Sequence, residues 1–323
     1  MNKFYSSCPT SINIYSIQIL IRISKSMSEL QSQPKKIAVV TGASGGIGYE
    51  VTKELARNGY LVYACARRLE PMAQLAIQFG NDSVKPYKLD ISKPEEIVTF
   101  SGFLRANLPD GKLDLLYNNA GQSCTFPALD ATDAAVEQCF KVNVFGHINM
   151  CRELSEFLIK AKGTIVFTGS LAGVVSFPFG SIYSASKAAI HQYARGLHLE
   201  MKPFNVRVIN AITGGVATDI ADKRPLPETS IYNFPEGREA FNSRKTMAKD
   251  NKPMPADAYA KQLVKDILST SDPVDVYRGT FANIMRFVMI FVPYWLLEKG
   301  LSKKFKLDKV NNALKSKQKN KDD

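Results

Sequence analysis

Tyr183-Ser184-Ala185-Ser186-Lys187 sets a phenol and an ammonium four residues apart, on one face of any helix they share. A free phenol titrates at about 10, too weak an acid for proton transfer at neutral pH. An adjacent ammonium favours the phenolate, so Lys187 is expected to lower that value and let Tyr183 protonate a carbonyl oxygen during reduction. Ser170, in Phe167-Thr168-Gly169-Ser170, adds a hydroxyl that can hydrogen-bond the same oxygen as charge builds on it. Spacing alone does not single out the pair, because Tyr49 and Lys53 repeat it. Only Tyr183 has such a serine upstream, at the end of a β-rich run.

A second group can bind anions. Thr41-Gly42-Ala43-Ser44-Gly45-Gly46-Ile47-Gly48 follows a short apolar run and opens a helical stretch that stops at Gly59. Such a turn lets backbone N–H groups approach a pyrophosphate, with the helix dipole favouring the negative charge. Its first glycine interval, Gly42-x3-Gly46, is two residues longer than in G-x-G-x-x-G. The second β-rich run ends in Ala64-Cys65-Ala66-Arg67-Arg68 with no acid. A guanidinium there suits a 2′-phosphate where a carboxylate would suit a free ribose, so NADPH is expected over NADH, with Arg67 the first choice of contact. The same turn also reads as G-x-S-x-G, the nucleophile elbow of ester hydrolases, with Ser44 as nucleophile. That alternative needs a histidine and an acid, and offers only His147, His191 and His198.

The elements that position these groups alternate. Residues 37–40, 61–64, 84–89, 113–117, 164–167 and 206–210 are short β-rich runs separated by segments with helical spacing. Strands joined by helices imply right-handed crossovers and a parallel sheet covered on both faces. The expected fold is therefore a doubly wound, Rossmann-like α/β sheet forming a single catalytic domain over residues 35–280. Residues 219–255, polar and rich in proline, fall beside the carboxyl ends of the strands and read as a substrate lid, or else as a surface insertion.

Composition bounds the rest. The 323-residue chain carries a net charge of +12 with 45% apolar residues, enough for a large core and too many for wholesale disorder. The charge lies in the tails: a net of +6 from Lys299 to Asp323 and +3 over residues 1–28, leaving +3 for everything between. Basic and aromatic residues do not interleave in the core, so no nucleic-acid partner is expected. Five cysteines without C-x-x-C spacing indicate neither a disulfide framework nor a metal site. Residues 1–34 read as a disordered extension, with a targeting segment as the other reading. Residues 281–297 are apolar at 14 of 17 positions, but Pro293 interrupts them well before the roughly 20 residues needed to span a bilayer. With the lysines that follow, residues 281–323 read as a segment lying on an anionic membrane or lipid-droplet surface, or as a helix packed on the domain or a second subunit.

Taken together, these motifs resemble the short-chain dehydrogenase/reductase family. The resemblance covers about residues 36–278: Thr41-Gly42-x3-Gly46-Ile47-Gly48, Asp90 after the third strand, Asn118-Asn119-Ala120-Gly121 after the fourth, then Asn143, Ser170, Tyr183 and Lys187 in order. It implies that these last four form a catalytic tetrad, in which Asn143 holds a water that relays protons to Lys187. It further implies that Asp90 and Ile91 flank the adenine, that Asn118, Asn119, Ala120 and Gly121 support the cofactor strand, and that Val216 and Thr218 contact the nicotinamide amide. A departure is visible at Thr213-Gly214-Gly215, where the family usually has Pro-Gly. The lid and tail resemble those of the family's acyl-dihydroxyacetone-phosphate reductases. This implies an acylated phosphoketone as substrate, lysophosphatidic acid as product, and a cytosol-facing endoplasmic reticulum or lipid-droplet surface, with the mitochondrial outer membrane a further site. Lys223, Arg224, Arg238 and Arg244 are candidate phosphate contacts. Steroid or 3-ketoacyl reduction is the nearest rival chemistry. Small residues Ala185, Ser186, Ala188 and Ala189 leave homodimer packing open.

Overall fold

In the computed structural model, residues 35–222 and 224–322 are described. The disordered-extension reading of residues 1–34 and the candidate contact Lys223 fall outside them. The compact unit runs Lys36–Asp323. Its centre is one parallel sheet of β1 (Ile37–Thr41), β2 (Leu61–Ala66), β3 (Val84–Lys88), β4 (Leu115–Asn118), β5 (Thr164–Thr168), β6 (Arg207–Thr213) and β7 (Asp275–Arg278), in the order β3-β2-β1-β4-β5-β6-β7. Every residue of β1 and β4 is buried, as expected of near-continuous apolar strands covered on both faces.

Helices α1 (Gly46–Arg57), α2 (Glu70–Phe79), α3 (Pro94–Asn107), α4 (Asp133–Phe140), α5 (Gly146–Ala161), α6 (Ser181–Met201), α7 (Pro235–Asp250) and α8 (Ala256–Leu268) accompany the sheet. On one face Ile97, Phe100 and Leu104 of α3 pack with Leu154 and Leu158 of α5 and Ile190 of α6. On the other, Val51 and Leu55 of α1 pack with Met72 and Leu75 of α2 and Leu263 and Ile267 of α8. The strand order reverses between β1 and β4, so the connections on either side diverge and leave a crevice at the carboxyl ends. Val40 lies opposite Ala64 on one side and Tyr117 on the other, which brings the Gly42 turn level with the residues that follow β4.

Two elements escape the sequence reading. β7 is only four residues long, too short for a periodic signal. The stretch read as a lid without regular structure contains α7, a 16-residue helix whose strongly polar sequence buries only Gly237, Ala240 and Phe241.

Beyond the sheet, α9 (Ala282–Phe291) and α10 (Tyr294–Lys304) are separated at Pro293, and the lysine-rich end forms α11 (Leu307–Asp322). Helix α11 packs against α7: Val310 joins Ala240 and Phe241 in a small satellite core, and Glu239 takes Lys306 at 2.8 Å and Lys309 at 3.0 Å. Among the described residues, no helix is long and apolar enough to cross a membrane.

Candidate active site

A cleft of about 580 Å³ opens where the strand order reverses. The turn after β1 forms its floor. Gly42 has φ +68°, and a Cβ there would lie 2.8 Å from the Ala120 backbone, so the two loops approach as only glycine allows. One side chain fastens both loops: Thr41 Oγ1 accepts from Asn119 N at 3.0 Å and Ala120 N at 3.1 Å. In return, Asn119 Nδ2 donates to Thr41 O at 3.0 Å, and its Oδ1 accepts from Thr168 Oγ1 at 3.1 Å. Strands β1, β4 and β5 are thus tied at one point.

Of the residues singled out from sequence, Gly42, Ser44, Gly46, Ile47, Arg67, Arg68, Asp90, Ile91, Ala120, Gly121, Ser170, Tyr183, Lys187, Val216 and Thr218 all line this cleft. Thr41, Gly48, Asn118 and Asn143 do not, and each has another task. Thr41 is the fastener. Gly48 is the site where α1 crosses the Gly42 carbonyl, since a Cβ would sit 2.4 Å from that oxygen. Asn118 is fully buried in β4 and donates to Cys151 Sγ at 3.3 Å. The residue that contacts the glycine turn is its neighbour Asn119.

Asn143 is buried beside the cleft. It lies in a π-helical turn, Lys141–Phe145, an irregularity common at functional sites. Its side chain is fully engaged: Oδ1 accepts from Gln122 N at 2.9 Å, while Nδ2 donates to Gln122 O and to Ser186 Oγ, each at 3.0 Å. Its side-chain amide thus clamps the loop after β4 to α6.

Helix α6 carries the proton chemistry. Lys187 is 2% exposed, and its Nζ donates to Thr168 O at 2.8 Å. Burial lowers its pKa to about 8. The ammonium lies 5.9 Å from the centroid of the Tyr183 ring. Contrary to the sequence expectation, the Tyr183 phenol is shifted upward: burial dominates, opposed by the hydrogen bond with Ser170 and by the charge of the Arg244 guanidinium. Burial by itself thus makes the phenol a weaker acid than a free one.

His191 was missed as a positioning group, although 183, 187 and 191 follow the same four-residue spacing. Its buried Nε2 accepts from Ser170 N at 3.0 Å, fixing the serine's backbone, and burial lowers its pKa to about 4, so the ring is the neutral acceptor this bond requires. His147 bonds Ala120 O at 2.7 Å, and His198 bonds Val208 O at 2.9 Å. Among the described residues no histidine hydrogen-bonds Ser44, the nucleophile of the elbow reading.

The residues fit a dinucleotide. Helix α1 begins at the cleft with no side-chain cap and no acid in its first turn, so its leading N–H groups are available to an anion. Arg67 and Arg68 are exposed at the rim and, among the described residues, in no ion pair. Arg68 is the nearer to the turn, its Nη2 being 4.0 Å from a Cβ built on Gly45.

Known proteins share this arrangement. A family profile described as short chain dehydrogenase matches residues 36–228. The short-chain dehydrogenase virD of Hypocrea virens is 35% identical over 286 residues, covering 87% of this chain and 96% of that one. The NADPH-dependent 1-acyldihydroxyacetone phosphate reductase of Schizosaccharomyces pombe is 34% identical over 241 residues, covering 72% of this chain and 79% of its own. The crystal structure of a short-chain dehydrogenase from Streptomyces avermitilis superposes with a TM-score of 0.70 at 24% identity, covering 87% of this chain and 99% of that one. The chain belongs to the short-chain dehydrogenase family and is an NAD(P)-binding oxidoreductase.

Proposed function

We propose that the protein reduces the ketone of a 1-acyl-dihydroxyacetone phosphate to 1-acylglycerol 3-phosphate, with NADPH as reductant, at a cytosol-facing endoplasmic reticulum or lipid-droplet surface. The observation that carries this reading is the convergence of Ser170, Tyr183 and Lys187 on one cleft beside an uncapped helix N-terminus. A bound reduced nicotinamide would supply the hydride. Tyr183 is the proton donor to the ketone oxygen; burial alone would weaken it as an acid, and the Ser170 hydrogen bond and the Arg244 guanidinium oppose that effect. The Ser170 hydroxyl, oriented through its backbone by His191, meets the same oxygen as negative charge develops. Lys187 keeps a positive charge under the site, anchored on the Thr168 carbonyl.

The rim arginines support the choice of NADPH, since neither is committed to a carboxylate. The substrate and location draw support from the C-terminal helices. In α9, Ile284, Phe287 and Phe291 follow helical spacing on one exposed face, and Tyr294 and Trp295 extend it across Pro293. Phe291 is 74% and Trp295 65% exposed. Such a face next to Lys299, Lys303 and Lys304 suits an anionic lipid surface, where an acyl chain can stay in lipid while its head group enters the cleft. The test is turnover by purified protein, with NADPH and with NADH, of acylated phosphoketones, 3-ketoacyl esters and steroid ketones in the presence of vesicles. NADPH oxidation at least tenfold faster with the acylated phosphoketone is the expected result. A clear preference for a steroid or 3-ketoacyl ester would replace this substrate with that one.

A further inference from the structure

We propose that Arg244 recognises an anionic group on the substrate, a phosphate monoester close to the reacting carbonyl, and thereby sets the preference for charged over neutral ketones. The inference rests on the reductase reading above and names the residue that gives it specificity.

Arg244 stands on α7, three and four residues beyond Phe241 and Ala240, so it leaves the helix on the side that faces the body. Its guanidinium arrives at the start of the catalytic helix. A Cβ built on Gly180, the residue that precedes α6, would lie 3.4 Å from Nη2 and 3.8 Å from Nε. Tyr183 is three residues further on, and the guanidinium's charge acts on its phenol. The group lies over the Phe177 ring at 5.6 Å, and that ring is braced edge-on at 6.1 Å by the fully buried Phe305. Among the described residues Arg244 has no ion-pair partner, and its buried Nε has no hydrogen-bond acceptor.

The neighbouring cations are occupied. Arg224 is held by Asp222 at 2.6 Å and covers the Phe126 ring. Arg238 donates to Asn233 Oδ1 at 2.8 Å on the exposed side of α7. Lys245 donates to Arg224 O at 2.9 Å. A buried donor left without an acceptor is costly, so its persistence next to the proton donor points to a ligand that completes it. The planar guanidinium matches two phosphate oxygens at once. In a phosphoketone of the proposed kind, the ester oxygen and one methylene separate phosphorus from the carbonyl carbon. Groups that meet the two must be close neighbours, and the Arg244 guanidinium reaches the residue that opens the helix carrying Tyr183.

The test compares kcat and KM for 1-acyl-dihydroxyacetone phosphate and for its dephosphorylated counterpart, in wild type, Arg244→Met and Arg244→Lys, with NADPH binding followed by fluorescence as the check on folding. Wild type is expected to favour the phosphorylated ketone by at least a hundredfold in kcat/KM. Arg244→Met should lose most of that preference through KM on the phosphorylated ketone, while the neutral ketone falls less than tenfold; Arg244→Lys should recover part of it. Equal losses on both ketones, or a preference that survives in both variants, would overturn the inference and leave the reductase reading standing. No NADPH-dependent turnover of either ketone by wild type would overturn both. If Arg244→Met fails to bind NADPH, Arg244→Lys decides by the same criterion.

Discussion

Helices α8 and α9 are separated only by β7 and its turns, and both carry apolar side chains at helical spacing, yet they end in opposite surroundings. Tyr259, Ala260, Leu263, Val264 and Ile267 of α8 are buried against the sheet, whereas α9 buries only Ala282. Burying a large apolar side chain is worth about 1.5–3 kcal/mol, a gain that α8 realises within the molecule and the exposed apolar face of α9 does not. The division also shows beside the cleft. On the β1 side the cleft meets the uncapped N-terminus of α1, which the sheet holds; Arg244, outside the cleft lining, is carried to the start of α6 by α7, which is paired in turn with α11 through Glu239. On the proposed reading, the sheet sets the chemistry and the appendage sets what reaches it.

Substitutions can separate the two regions. Tyr183→Phe, within the body, should lower turnover by about a thousandfold, the middle of the range for loss of a positioned general acid, without changing partition onto lipid. A triple replacement of Ile290, Phe291 and Trp295 by Asp should do the reverse. It should weaken sedimentation with anionic vesicles by about thirtyfold, corresponding to roughly 2 kcal/mol of lost apolar burial, while leaving reduction of a soluble short-chain ketone intact. Vesicle binding that survives this replacement would return α9 and α10 to a protein partner.

The smallest effect is on stability. Burial depresses Lys187 from 10.5 to about 8 in the folded protein, so between those values the unfolded chain binds more protons and stability rises with pH. Lys187→Met removes an electrostatic cost of about 3 kcal/mol at pH 7 and forfeits the bond to Thr168 O, worth about 1 kcal/mol. Its midpoint of thermal unfolding should rise by a few degrees at pH 7, and its stability should lose the wild type's climb between about pH 8 and 10.5. A lower midpoint at pH 7 would show that packing around the lysine outweighs its desolvation.

The body was legible in the sequence because its signals are local. Apolar runs followed by a glycine turn, and a phenol and ammonium on one helix face, announce six of the seven strands and most of the cleft lining. What was not legible depends on partners distant in the chain. Nothing near Asn143 says that its amide will bond Gln122 and Ser186, and nothing near Tyr183 says that burial will dominate its phenol or that a lowering charge comes from residue 244. The preference for Arg67 over Arg68 could not be read from adjacent residues, because it depends on which side chain turns toward Gly45. Helix α7 was obscured for another reason: it is so polar that its apolar stripe is barely more than Ala240 and Phe241.

The central claim is that the Tyr183 phenol delivers the proton to a ketone reduced in this cleft. The most direct measurement is NADPH oxidation under saturating ketone by wild type and by Tyr183→Phe, with cofactor affinity titrated by fluorescence on the same preparations. The account predicts unchanged affinity within a few-fold and turnover lower by about three orders of magnitude. Turnover by Tyr183→Phe within tenfold of wild type, at equal cofactor affinity, would contradict it.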